Sequence, residues 1–291
     1  MAYEVPEVDY TRYSNRQLAA IPLAVLAVAL LVLFGSFFLT GSPVGLGIDF
    51  TGGTELTVET TADRGEIAGA FDTPPESVQR VQASDDRYIL TFQGSDADAL
   101  DRQAEENLPA AGGGDVVVSR QQISPSFSGE NQYFAQIGLL VAFLGMSVLA
   151  FLLFRTFVPS IAIVVSAFSD IVVPLAAMNV LGIELSLGTV AALLMLIGYS
   201  VDSDILLNNH VLRRSGDFYE STYRAMQTGV TMTFTSLSAM AVMALVAFLF
   251  GIELLASIGV VLVLGLATDL LNTYMLNLSL LRWYKLGRGT R

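Results

Sequence analysis

Four aspartates, Asp170, Asp202, Asp204 and Asp269, fall inside stretches of sequence that otherwise carry almost no charge. An ionised carboxylate at bilayer depth costs about 2.5 to 3.5 kcal/mol, so four unpaired ones would cost on the order of 10 kcal/mol. No Lys or Arg of the chain lies at the same depth. The charge is then answered by carried protons, by a bound cation, or by groups on a partner's helices, and each of these points to ion handling or an interface. A plainer reading, hydrogen bonding between helices and nothing more, stays open beside them.

Other polar residues accompany the acids. Thr228, Thr231, Thr235 and Ser238 recur at spacings of 3, 4 and 3, which puts their hydroxyls on one helical face. Such a stripe lines a polar path or lets two helices approach closely, and spacing supports both equally. His210, the only histidine, stands beside Asn208 and Asn209, a position for a proton relay or for an ordinary interfacial residue. Asn272 and Asn277 make the stretch around Asp269 unusually polar, and Asn272, three residues on, is placed to satisfy that aspartate.

Residues 47 to 54 read GIDFTGGT, close to a phosphate-binding loop but with Gly53 where the lysine is needed. Without that cation, and with Asp49 repelling anions, nucleotide binding is excluded and ATP hydrolysis with it. The glycines serve instead as permissive backbone. Gly47, Gly52 and Gly53 let the chain turn from an apolar stretch into a strand, Phe50 packs at the base of the domain that follows, and Asp49 caps the turn.

The elements that must position these residues are membrane spans. Of 291 residues, 53% are hydrophobic and 14% charged, too apolar for a soluble domain of this length. Six stretches are long enough to cross about 30 Å of hydrocarbon: Leu18 to Leu39, Tyr133 to Phe154, Phe157 to Leu181, Ser186 to Asn208, Thr228 to Phe250 and Leu254 to Leu281. The first exceeds a signal-peptide core and lacks a small-x-small cleavage site, so it is expected to remain as a helix. Asp170 then falls near the middle of span three, Asp202 and Asp204 in the second half of span four, and Asp269 near the middle of span six.

Ten of the fifteen basic residues cluster in 12–16, at Arg155, in 213–224 and in 282–291. Positive-inside counting therefore places residues 1–17 and 282–291 in the cytoplasm and segment 41–131 outside. That outer segment holds five arginines against sixteen acids, which leaves no basic stripe for nucleic acid. One lysine against fourteen arginines, with a pI near 4.4, points to adaptation to very high salt or, more simply, to GC-rich coding. The absence of cysteine and the single histidine leave no thiolate site and no metal site of the zinc type.

Within 41–131 the pattern reads TELTVETT, ADRGEIAGAF, SVQRVQAS, RYILTFQ, SDADALDRQAEENL and DVVVSRQQI, or β-α-β-β-α-β. This order fits a ferredoxin-like α+β domain between spans one and two, with a helix start at Ser95. No carboxylate pair on an ordered scaffold suggests an enzyme, no cofactor is implied, and the domain reads as a binding or lever module.

GIDFTGGT after the first span, QQISPSFSGENQ leading into the second and GYSVDSDILLNNHVLRR ending the fourth resemble, in that order, the SecF branch of the SecD/SecF protein-export family. The resemblance covers nearly the whole chain and includes Gly47, Asp49, Phe50, Gly52, Gly53, Gly198, Tyr199 and Ser200. Bacterial members typically carry Asn-Asp after GYS-x and a DRIRE ending. Here Asp202, Ser203 and Asp204 follow, with His210 before Arg213, which looks like the archaeal form.

The resemblance implies an accessory of the Sec translocon that assists export of unfolded polypeptides, works with a SecD-like partner in the resistance-nodulation-division superfamily, and draws on an ion gradient, in bacteria that of protons. Asp170 matches the acidic position of the third span, which ranks it first among the ion-coupling residues, ahead of Asp202, Asp204 and Asp269. Thr231, Thr235, Ser238 and His210 are the candidate polar lining. The alternatives are half of a small-molecule or lipid exporter of the same superfamily, or a passive translocon scaffold.

Overall fold

The computed structural model describes residues 9–81, 86–93, 96–213, 218–250 and 252–286. A 3-10 turn at Tyr10–Arg12 precedes α1 (Asn15–Thr40). The start of α1 is fixed by a reciprocal cap, in which Gln17 N–H donates to Ser14 Oγ at 3.3 Å and Ser14 N–H to Gln17 Oε1 at 2.9 Å. The glycine-rich stretch forms one helical turn, α2 (Ile48–Thr51), and runs into β1 (Gly53–Glu59).

The small domain continues with α3 (Arg64–Gly69), β2 (Ser77–Arg80), β3 (Arg87–Phe92), α4 (Ala97–Asn107) and β4 (Val117–Ile123), the element order expected from the sequence. The strands lie in the order β2-β3-β1-β4 with every neighbouring pair antiparallel, and Leu56 stands opposite Leu90. Period-two alternation sends Leu56, Val58, Leu90 and Phe92 to one face, where they close a core with Ile67 of α3 and Leu100 and Ala104 of α4. The helix cap expected at Ser95 lies outside the described residues. Asp96 occupies the cap position and accepts from Asp98 N–H at 3.0 Å.

Five further helices complete the chain: α5 (Pro125–Phe154), α6 (Phe157–Leu181), α7 (Leu187–Arg213), α8 (Phe218–Leu249) and α9 (Glu253–Leu271). The last of these passes through a π-helical segment, Asn272–Asn277, into α10 (Leu278–Leu286). Among the described residues six helical runs are long and apolar enough to cross a membrane, and the chain is a multi-pass membrane protein. Two begin earlier than hydropathy alone marks them, α5 at Pro125 and α8 at Phe218, because hydropathy sees the apolar part of a helix and not its polar first turns.

The helices α6 and α7 are the most buried of the six runs. Small side chains on α6, among them Ser160, Ala162, Ser166, Ala167 and Ala176, are buried and let neighbours approach closely, as packing between helices in lipid requires. Exposed apolar side chains such as Leu31, Phe38, Val141 and Leu245 cover the outside of the bundle.

Candidate functional site

Helical periodicity brings Ser166 and Asp170 of α6, four residues apart, to one face, and does the same for Ser200, Ser203 and Asp204 of α7. The last helix contributes Asp269 and, from its π-helical segment, Asn272, Thr273 and Asn277. A π-turn re-aims the side chains that follow it, and here Asn272, Thr273 and Asn277 are all fully buried.

Asp170 accepts from Ser200 Oγ–H at 2.6 Å and from Asn272 Nδ2–H at 2.6 Å. Asp204 accepts at Oδ1 from Thr273 Oγ1–H at 3.0 Å and Asn277 Nδ2–H at 2.7 Å. Asp269 accepts from Ser203 Oγ–H at 2.8 Å and shares the single Thr273 hydroxyl hydrogen with Asp204, its Oδ1 lying 3.3 Å from Thr273 Oγ1. Asp170, Asp204 and Asp269 are each no more than 1% exposed. Among the described residues no Lys or Arg forms an ion pair with any of them.

Donors and acceptors are both left over around the aspartates. Asp204 Oδ2, Asn272 Oδ1 and Asn277 Oδ1 are buried without a hydrogen-bond partner, as are both polar side-chain atoms of Asn208 and the Ser166 hydroxyl. A buried acceptor left without a donor costs about 1–3 kcal/mol. The cluster is therefore incompletely paired, with hydroxyl and amide hydrogens unpartnered as well as oxygens, and it gathers three carboxylates with no Lys or Arg ion pair among the described residues.

Three sequence expectations have a different geometry. Asn272 does not satisfy Asp269; it reaches across to Asp170, and Ser203 and Thr273 serve Asp269 instead. Asp202 is exposed on the opposite face of α7, because two residues on a helix are about 200° apart, and it does not join the other three aspartates. Thr231, Thr235 and Ser238 also face outward and donate to carbonyls of their own helix, Gln227 O at 2.6 Å, Thr231 O at 2.8 Å and Phe234 O at 2.8 Å. They do not line the aspartate cluster.

His210 is half-buried, with Nδ1 2.9 Å from Leu206 O one turn back. In the GYS motif Gly198 is exposed, Tyr199 is half-buried and Ser200 is the donor to Asp170. Sequence reasoning missed Ser203, Thr273 and Asn277 as partners of particular acids. Their signal was only the polarity of spans four and six.

A second arrangement roots the small domain on the bundle. Asp49 does not cap its own turn. Its Oδ2 accepts from Leu187 N–H, the first residue of α7, at 2.8 Å, although 138 residues separate the two. Ser186 completes the cap by accepting from Thr189 N–H at 3.2 Å, so a carboxylate and a hydroxyl meet the positive end of the span that carries Ser200 and Asp204.

Backbone bonds lock the same place: Gly47 N–H donates to Leu185 O at 2.9 Å and Leu185 N–H to Gly45 O at 2.7 Å. Asn131 Nδ2–H, on the first turns of α5, donates to Asp49 O at 3.2 Å. Phe50 is buried, as expected. Gly52 has φ +73° and a side chain there would meet Pro125 Cα at 3.1 Å, while Gly53 has φ +141° and a Cβ would strike the Phe92 carbonyl. Here the glycines are imposed by both conformation and space.

At this junction burial raises the Glu55 carboxyl above the usual carboxylate range, with the Asp49 charge adding to it, and burial raises that of Glu184, with Glu76 and Glu55 adding.

A bundle of six membrane-crossing runs with a small antiparallel domain between the first two, rooted by a double-glycine turn, defines a class of membrane protein that other chains share. Residues 105–287 match the family model of the protein export membrane protein SecD/SecF C-terminal region, and residues 37–63 match that of the SecD/SecF GG motif. The chain belongs to the SecD/SecF family of protein-export membrane proteins.

It is 65% identical to the protein-export membrane protein SecF of Haloferax volcanii, over 99% of both chains, and 66% identical to that of Haloquadratum walsbyi, over 97% of both. Both organisms are halophilic archaea, in keeping with the acid-rich composition. The crystal structure of SecDF, a translocon-associated membrane protein from Thermus thermophilus, has the same fold at a TM-score of 0.74 and 20% identity. The match covers all of this chain and 40% of that one.

Proposed function

We propose that this chain is the SecF-type subunit of a two-part auxiliary of the Sec translocon, which assists passage of unfolded polypeptides across the cytoplasmic membrane and draws on an ion gradient. Both termini face the cytoplasm and the small domain faces outward, as the distribution of basic residues argues. The observation that carries the reading is the cluster of Asp170, Asp204 and Asp269, three fully buried carboxylates on three helices with no cation among them and unanswered oxygens beside them. Uptake of a proton or cation supplies the missing positive charge, and release restores the deficit.

The same helix, α7, carries Ser200, Ser203 and Asp204 near its middle and is capped by Asp49 of the domain root at its start. A change of charge at the cluster that shifts α7 is therefore passed to the base of the outer domain, which acts on the emerging chain. Asp202 and the Thr231, Thr235 and Ser238 face are left for a SecD-type partner, since a carboxylate exposed at membrane depth needs polar company.

The scaffold reading is favoured by one observation, the hydrogen bonds that five side chains of this chain, Ser200, Ser203, Asn272, Thr273 and Asn277, already give the aspartates.

Cells depleted of the chain are complemented with Asp170→Asn or Asp204→Asn and the export rate of a secreted reporter is followed. Loss of the gradient-dependent part of export, with the partner still copurifying, is expected from ion coupling. Full complementation by both variants leaves the scaffold.

A further inference from the structure

At the end of the bundle where α1 begins and α10 ends, a cavity of about 390 Å³ opens between α1, α8 and α10. Its walls include Arg16, Arg282, Asn15, Ser14, Trp283 and Leu286. Nothing in the export reading uses it.

Arg282 is only 8% exposed, and its guanidinium is held by neutral acceptors: Asn15 Oδ1 takes Nε–H, Tyr10 O takes an Nη1 proton at 2.8 Å and Tyr13 O an Nη2 proton at 2.7 Å. Three of the five N–H groups are committed, and among the described residues no acid pairs with the charge. Arg16, on the same wall, is exposed and forms no ion pair among the described residues. Among the described residues Asp9 is engaged with Arg12 at 3.0 Å and Glu220 with Arg224 at 2.5 Å. The positive end of α1 begins at Asn15, on the same wall, and adds to the field.

The lip of the cavity is of the opposite character. Trp283 is 59% exposed and Leu286 47% exposed, an indole ring and an aliphatic side chain of the kind that lie at a membrane interface. Two guanidinium groups without an acidic partner among the described residues, beside an apolar lip, match a molecule with a phosphate at one end and a hydrocarbon chain at the other.

We propose that this cavity binds the headgroup of an anionic phospholipid from the adjoining leaflet, with the phosphate against Arg16 and Arg282 and the acyl region along Trp283 and Leu286. Basic recesses between helices at a membrane surface take such headgroups. Free inorganic phosphate shares the headgroup's charge chemistry but makes no use of the apolar lip.

Trp283 is the only tryptophan of the chain, so its fluorescence reports on this place alone. The full chain is reconstituted in phosphatidylcholine nanodiscs containing equal fractions of either brominated phosphatidylglycerol or brominated phosphatidylcholine. The measurement is made in molar salt, where the Debye length of about 3 Å removes diffuse attraction and leaves contact binding.

The brominated anionic lipid is expected to quench Trp283 with an apparent affinity several-fold above that of the zwitterionic one, and Arg16→Gln to lower that ratio while Arg282 remains. Arg16 is chosen because it holds no other part of the fold, and an unchanged thermal melt of the variant confirms that. Equal quenching by the two lipids in the unaltered chain overturns the proposal. So does displacement of the brominated anionic lipid by added inorganic phosphate at millimolar concentration, which would make the ligand a soluble anion.

Discussion

The root of the small domain and the middle of the bundle both gather polar groups around carboxylates, and they finish the task differently. At the root, Asp49 meets a backbone N–H at a helix end, and Gly45, Gly47 and Leu185 exchange backbone bonds. In the bundle, Asp170, Asp204 and Asp269 are met by side chains alone, and oxygens of Asp204, Asn272 and Asn277 are left over. Backbone bonds with glycine-imposed geometry make a fixed joint. Side-chain bonds, incompletely paired, can be remade, and on the proposed reading the contrast assigns mechanics to one region and ion chemistry to the other.

The largest break of this contrast comes at the joint. Gly53→Ala sets a Cβ against the Phe92 carbonyl at a positive φ, and a loss of roughly 3 kcal/mol or more is expected, read as failure to recover folded chain in detergent. In the bundle, Asn277→Leu removes a donor from Asp204, which keeps only Thr273 at that oxygen; a loss of about 1–3 kcal/mol is expected in chemical unfolding. Asp49→Ala takes the carboxylate from the start of α7 and is expected to cost about 0.5–2 kcal/mol, with faster amide exchange at Leu187, whereas Asp49→Asn retains most of the cap.

The joint also has a pH dependence of defined sign. Glu55 and Glu184 have carboxyls raised by burial and by neighbouring acids, so the folded joint holds their protons more tightly than the unfolded chain does. Its stability is greatest below the ordinary glutamate range and falls as pH rises through the raised values. Amide exchange at Gly47 and Leu185, corrected for intrinsic rates, is expected to slow on going from neutral to mildly acid pH. The smallest effect is expected at Ser238→Ala, within about 0.5 kcal/mol in the isolated chain, since that hydroxyl is exposed and bonded to its own helix.

The contrast also explains what the sequence reveals and what it hides. Six spans are legible because twenty apolar residues in a row have one use, and the small domain because period-two strands leave local marks such as the alternating run TELTVETT. The expensive residues are legible too, since an aspartate among apolar residues stands out. Which aspartates converge is not. Asp202 and Asp204 differ by two positions and face opposite ways, and only the packing of α6 and the last helix against α7 decides which one turns inward.

The π-helical segment that buries Asn272, Thr273 and Asn277 has no mark in the chain, and neither does the bond from Leu187 to Asp49, because contacts over such separations arise from tertiary packing. The hydroxyl stripe of Thr231, Thr235 and Ser238 is a case of correct periodicity with the direction left open: it is a face, and it faces out.

The central claim is that the buried carboxylates take up and give back an ion, and infrared difference spectroscopy reads it directly. With the chain and its partner reconstituted in sealed vesicles, an imposed ion gradient is expected to change either the carbonyl band of a protonated carboxylic acid or the stretch of a cation-bound carboxylate, and Asp170→Asn to remove or diminish that change. If the carboxyl and carboxylate bands are the same with and without the gradient, in the unaltered chain and the variant alike, the aspartates are static bonds between helices and the account is contradicted.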